Sequence, residues 1–142
     1  MNTENSRRYS PDEVAVAVCV YGVHLEPEEV SALLCGPPTH GHRKGERKGL
    51  RSPAFDKGAW IREVRRFEPI DLDSMFDELL LPLTEDASVW AELLSRFEVR
   101  ISISAHTDVG LTLYLNSATL QRIAARCANV QVCIQAYGDN EA

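Results

Sequence analysis

Cys35, His40 and His42 lie close together in the chain, and one thiol with two imidazoles is a donor set that can hold zinc. Three ligands need a fourth or a water, and no further donor stands at the usual spacing. Pro37 and Pro38 would also have to turn the chain back on itself. The plainer reading is two loop histidines beside a buried cysteine, with no metal bound. Ser102, Ser104, His106 and Asp108 hold the residue types of a hydrolytic triad. Their spacing of two sets them parallel along one face of a strand, where they do not converge. They read as the wet side of a sheet. His24 stands alone after an apolar run and reads as a turn residue. Asp71 with Asp73, and Asp77 with Glu78, are paired carboxylates on the outer side of a helical pattern, which reads as solvation. No phosphate-binding loop or dinucleotide fingerprint is present, because the glycines at 41, 45, 49 and 58 do not follow a strand as those motifs require. No catalytic set emerges, and no cofactor is implied.

Charge is the sharper signal. From residue 43 to 66 there are nine bases against three acids, a net +6. From 67 to 98 there are nine acids against one base, a net −8. The basic stretch offers Arg43, Lys44, Arg47, Lys48 and Arg51 to a phosphate or an acidic partner, with Trp60 as an aromatic anchor. The competing reading is a solvated loop that folds back on the chain's own acidic helices. Phe55 and Trp60 are the only aromatics there, which is sparse for stacking on nucleic acid.

These residues sit in a chain of 142 residues, long enough for one domain with its own core. Apolar residues make up 44 % and the net charge is −6, which argues against disorder and against a dedicated nucleic-acid binder. Four cysteines occur, none in a C-x-x-C pair, and Cys19, Cys127 and Cys133 fall in apolar patterns. They read as core residues and not as a disulfide framework. Arg7-Arg8 precedes an apolar run, but Ser10-Pro11-Asp12-Glu13 intervenes with acids that an export signal lacks. No apolar stretch has the length of a membrane helix. The expected compartment is the cytoplasm.

Periodicity supplies the elements. Val14, Val16, Val18 and Val20 alternate with Ala15, Ala17, Cys19 and Tyr21, a strand apolar on both faces and hence central. Pro27-Glu28-Glu29 opens a helix carrying Val30, Leu33 and Leu34, and Gly36 with Pro37 closes it. Residues 39–58 read as a long loop or exposed hairpin, and Trp60 to Phe67 as a strand with one wet face. Leu72, Met75, Phe76, Leu79, Leu80 and Leu83 share a helix face that Pro82 interrupts, and Val89, Trp90, Leu93, Leu94 and Phe97 share the next, so two helices, or one kinked at Pro82, are expected. A hairpin of two strands is expected over 99–106 and 111–116, then a helix capped by Asn116 or Ser117, then a strand with Val130, Val132 and Ile134 on one face. The order is β-α-β-α-α-β-β-α-β. The expected fold is α+β, an antiparallel sheet with helices mainly on one face, pseudo-duplicated in the ferredoxin-like manner. One domain spans 13–138, between a flexible tail at 1–12 and a polar one at 139–142.

Four pieces of this arrangement resemble the bacterial family DUF4279. They are Leu25 to Leu34 after the opening strand, Pro38-Thr39 with Lys44-Gly45, Gly58 with Trp60, and Gly110 to Tyr137. The resemblance covers Val16 to Tyr137. The chain departs from it at Asn116-Ser117-Ala118, where the family shows a Ser-Pro helix start, and in a longer, more basic 43–58 insert. The resemblance implies the fold and a bacterial origin but no activity. The expected function is a non-enzymatic protein-interaction module, of which toxin neutralisation is one form. The alternative is small-ligand or nucleic-acid binding through the basic 43–51 loop. A homodimer through an exposed edge strand, such as the last, is a further expectation.

Overall fold

The computed structural model describes residues 10–126 and 128–137; the expected outer tails and Cys127 lie outside them. Five strands form one sheet in the order β2-β3-β1-β4-β5, with β1 at Glu13–Gly22, β2 at His40–His42, β3 at Gly58–Phe67, β4 at Glu98–His106 and β5 at Asn129–Gln135. The helices are α1 (Pro27–Leu34), α2 (Leu72–Leu80), α3 (Ala87–Arg96) and α4 (Ser117–Ala125). The fold is α+β, as the periodicity predicts.

β1 is the central strand, antiparallel to β3 and β4, with Val16 opposite both Val64 and Ile103. Val14, Val16, Val18 and Val20 face a single apolar cluster with Trp60, Val64, Val99, Ile101 and Ile103. Val30 and Leu34 of α1, Met75, Phe76 and Leu79 of α2, Trp90 and Leu93 of α3 and Ile123 of α4 join that cluster, so the helices lie on one face. Burial of each such side chain contributes about 1.5–3 kcal/mol. The opposite face of β1 is also buried, but among the described residues no helix covers it. Ala15, Ala17 and Cys19 are shielded by longer neighbours. Arg65, opposite Ala15, spans to Glu13 and Glu63 at 3.0 Å each. A central strand apolar on both faces thus reflects small side chains under long ones, not a second helical layer.

Local signals place most of the helices. Pro27 holds the first turn of α1, and Pro82 divides α2 from α3. Asp71 caps α2 by accepting from the Ser74 amide, Asp86 caps α3 through Ser88, and Asn116 caps α4 through Thr119. Asp73 accepts the Asn116 amide at 3.0 Å, Asp77 pairs with Arg122 and Glu78 with Arg66. Three of the four carboxylates thus join elements while they stay on the outer side of α2, and Asp71 caps that helix. At the end of α1 the left-handed residue is Cys35 (φ 65°), not Gly36. Gly36 is needed for space, since a Cβ there would sit 2.8 Å from Leu83 Cδ2.

Three expectations are revised. Residues 111–116 form no strand, so the hairpin after β4 is absent. Thr107 closes a turn by accepting from the Gly110 amide and donating to its carbonyl. Leu111, Leu113 and Leu115 then line an apolar groove with Leu72, Ile103, Val132 and Ile134. Their alternation records one buried side, not sheet pairing. β5 takes the place beside β4 instead, and runs parallel to it. The ferredoxin-like pseudo-duplication is accordingly not confirmed: β1 and β3 are antiparallel across α1, whereas β4 and β5 are parallel across α4. Pro11 and Asp12, expected in the loose tail, are tied down. The Pro11 carbonyl accepts from the Tyr137 hydroxyl, and Asp12 exchanges hydrogen bonds with Glu68. Among the described residues no helix is long and apolar enough to cross a membrane.

Candidate functional site

The basic stretch folds into an ordered hairpin that projects from one edge of the sheet. β2 pairs with β3, His40 opposite Ile61 and His42 opposite Ala59. Thr39 anchors its start: the Thr39 amide donates to Ile61 O at 2.7 Å, and the Glu63 amide donates to Thr39 Oγ1 at 2.7 Å. Beyond β2 the chain turns at Arg43–Glu46, where Gly45 adopts φ 91°. Gly45 donates to Phe55 O and Phe55 to Glu46 O, both at 2.8 Å, and Arg47 bridges to Ala54. The tip is closed by Ser52 N to Gly49 O at 3.1 Å.

Arg43 is the tether of this hairpin. Its Nε donates to Glu26 at 2.6 Å, one Nη donates to Glu28, and the other lies 3.8 Å from Glu46. The bond to Glu26 and the charge of Glu28 hold its guanidinium above the ordinary arginine range. Arg47 donates to Ser52 O at 2.6 Å and braces the tip. Of the five basic residues singled out by sequence, two therefore maintain the hairpin. Among the described residues no ion pair engages Lys44, Lys48 or Arg51, and all three are exposed. Between Lys48 and Arg51 stands Leu50, 98 % exposed at the tip. Charge and composition did not single it out, because a lone leucine in a glycine-bearing basic loop carries no periodicity.

Trp60 is corrected from anchor to core. It is fully buried, opposite Val20, and its indole Nε1 donates to Ser31 Oγ at 2.9 Å. It offers no surface to a partner. Phe55, the other aromatic, is stacked face to face with His42, ring centroids 3.5 Å apart and 10° from parallel. The folding-back reading of the basic stretch holds in part. Arg66 reaches Glu78 and Lys57 reaches Glu98, while Arg43 turns to the acids of α1.

A cleft of about 570 Å³ lies at the hairpin's base, lined by His40, His42, Arg47, Lys48, Phe55 and Ile61 among others. His42 Nδ1 is buried without a hydrogen-bond partner. Cys35, expected to be buried, is exposed at the end of α1. Among the described residues no three His, Cys, Asp or Glu side chains gather closely enough to hold a metal ion.

On the uncovered sheet face Ser102, Ser104 and His106 stand in a row along β4, as their spacing predicts. His106 meets Tyr137 with ring centroids 5.7 Å apart. At the other end of that face Tyr21 lies under two cations, Arg100 at 5.0 Å and Lys57 at 5.3 Å. Burial pushes the neighbouring Cys19 thiol up, so it stays protonated at neutral pH and is a poor nucleophile. These groups support the sheet without converging on a reacting point.

No curated protein and no solved structure matches the chain. A family model does, over residues 12–137. The span runs from the residue before β1 to the tyrosine after β5, and so takes in the whole sheet, the hairpin and all four helices. The chain belongs to DUF4279, a family described as a domain of unknown function.

Proposed function

We propose that this chain is a non-enzymatic protein-interaction module of the bacterial cytoplasm, docking through the basic hairpin of residues 43–55. The observation that carries this reading is the tip. Leu50 is almost wholly exposed between Lys48 and Arg51, on a hairpin braced from within and tethered to α1. A braced hairpin loses little conformational freedom on binding. Cations that no ion pair engages among the described residues steer an acidic surface towards it. The partner that fits is a protein with an acidic rim around an apolar recess; a toxin to be neutralised is one such partner. Nucleic acid is less well served by the hairpin, because Trp60 is buried and one face of Phe55 is covered by His42.

A second reading rests on the cleft at the hairpin's base. Arg47, Lys48 and His40 in its lining suit a small anionic ligand, with the Glu46 carboxylate as the opposing charge.

Capture from the native cell with the purified protein as bait separates the two. The test variant combines Lys48→Glu, Leu50→Asp and Arg51→Glu, and spares the bracing Arg43 and Arg47. The expected result is one stoichiometric protein held by the wild type and weakened roughly tenfold or more by the variant. Equal capture by both proteins contradicts docking through the tip. Recovery of no protein, together with a small anion that protects the wild type against heat, supports the cleft instead.

A further inference from the structure

We infer that β5 is the seam of a two-fold homodimer in which two copies join their sheets edge to edge. The two edges of the sheet differ. β2 has three residues and runs directly into the hairpin. β5 has seven residues, all exposed, and its outer side pairs with nothing among the described residues. Native edges are ordinarily blunted by charge, proline, a bulge or shortness. β5 reads Asn-Val-Gln-Val-Cys-Ile-Gln, with no charge, proline or glycine. Its regular parallel register with β4 shows no bulge.

The occupant that fits this edge is a second β5. A two-fold axis through Val132 sets Val132 opposite its copy, Val130 opposite Ile134, Gln131 opposite Cys133 and Asn129 opposite Gln135. Val130, Val132 and Ile134 then meet one another across the seam, while the other face sets Gln131 against Cys133 and Asn129 against Gln135. A slip of one residue would place Val132 beside Cys133 and set the apolar face of one copy against the polar face of the other.

Charge does not oppose the pairing, since neither strand carries any. Area supports it. Val130, Val132 and Ile134 are 48 %, 57 % and 57 % exposed, and they continue into the groove lined by Leu111, Leu113 and Leu115. Leu120 and Tyr114 are exposed on flanking segments. A full-length strand pair with this apolar flank buries on the order of 1,000 Å² across both copies, the threshold for a specific interface. The two five-stranded sheets become one continuous sheet, and the two hairpins project from its far ends.

Light scattering coupled to size exclusion reads the assembly directly. The expected mass of the full chain is twice 15.8 kDa, falling to 15.8 kDa in Val132→Lys with its far-ultraviolet spectrum unchanged. A monomeric wild type at high micromolar concentration overturns the proposal. So does a full chain that is monomeric and dimerises only when residues 1–9 are deleted, which would make that segment the occupant of the edge. Register is tested separately by Gln131→Cys in a Cys35→Ser background. Mild oxidation is expected to join position 131 of one copy to Cys133 of the other, giving a covalent dimer on a non-reducing gel. Absence of that band while the mass stays doubled places the interface elsewhere and overturns the assignment to β5.

Discussion

Replacing Trp60 with alanine will lower the stability of the domain by about 3–5 kcal/mol, the range for removing a fully buried tryptophan or phenylalanine. Trp60 has no exposed surface and stands opposite Val20 within the apolar cluster. It also joins two elements. Its indole N–H donates to Ser31 of α1, so the substitution removes a bond between helix and sheet and leaves a cavity between them. Trp60→Phe is expected to fall between wild type and alanine, because it refills part of the volume but cannot donate. Denaturant unfolding followed by circular dichroism checks both. A surface anchor would behave differently: its truncation would change stability by no more than about 0.5 kcal/mol while weakening a partner. That outcome would mean the core is not built as described.

Gly58→Val is expected to have the next largest effect, a loss of about 1–3 kcal/mol or more, as for other forced overpacking. Gly58 opens β3 at the point where the hairpin returns to the sheet. A Cβ added there would lie 2.6 Å from the Leu25 carbonyl oxygen, 3.1 Å from Leu25 Cβ and 3.2 Å from the His42 carbonyl oxygen. Two of these three atoms are backbone and the third belongs to a buried residue, so none can swing aside. The chain must part either from Leu25 or from β2. Gly45→Ala is a useful contrast. Nothing lies within 4 Å of its added Cβ, and the cost there comes only from the positive φ. Thermal melts should therefore rank Gly58→Val well below Gly45→Ala. Comparable melting temperatures would contradict the close approach of Leu25, Gly58 and β2.

Much of this architecture was legible in the residues because burial has a period. β1, β4 and the apolar faces of α2 and α3 follow directly from alternation or helical spacing, and Pro82 marks the break between the two helices. What periodicity does not carry is the identity of the neighbour. Leu111, Leu113 and Leu115 alternate as a strand does, yet they pack one side on a groove and leave the backbone unpaired. Val130, Val132 and Ile134 have the same pattern and do enter the sheet, parallel to β4. The choice between them rests on the α4 crossover and the turn held by Thr107. The exposed hairpin is one of the two readings of residues 39–58, but three residues with a central glycine have no apolar signature that would mark β2 within it.

The candidate site was legible in charge but not in geometry. The sequence shows that bases cluster at 43–51; it does not show that Arg43 is committed to Glu26 and Glu28, or that Arg47 braces the tip. Those partners lie on α1 or across a turn, and only the folded chain brings them within reach. Trp60 was misassigned for a related reason. An aromatic residue at the end of a basic stretch looks like an anchor, but its alternation with Arg62 and Val64 puts it on the inward face of β3. Leu50 became visible only when the hairpin placed it at the tip.

Whether the tip meets another protein can be read from a photo-crosslinking residue in place of Leu50, irradiated in the native cell. The control carries the same residue in place of Glu92, on the exposed side of α3. One discrete covalent adduct is expected from position 50, of constant mass and absent from position 92, with the captured peptide rich in acidic residues. No adduct from position 50, or the same diffuse products from both positions, would contradict it.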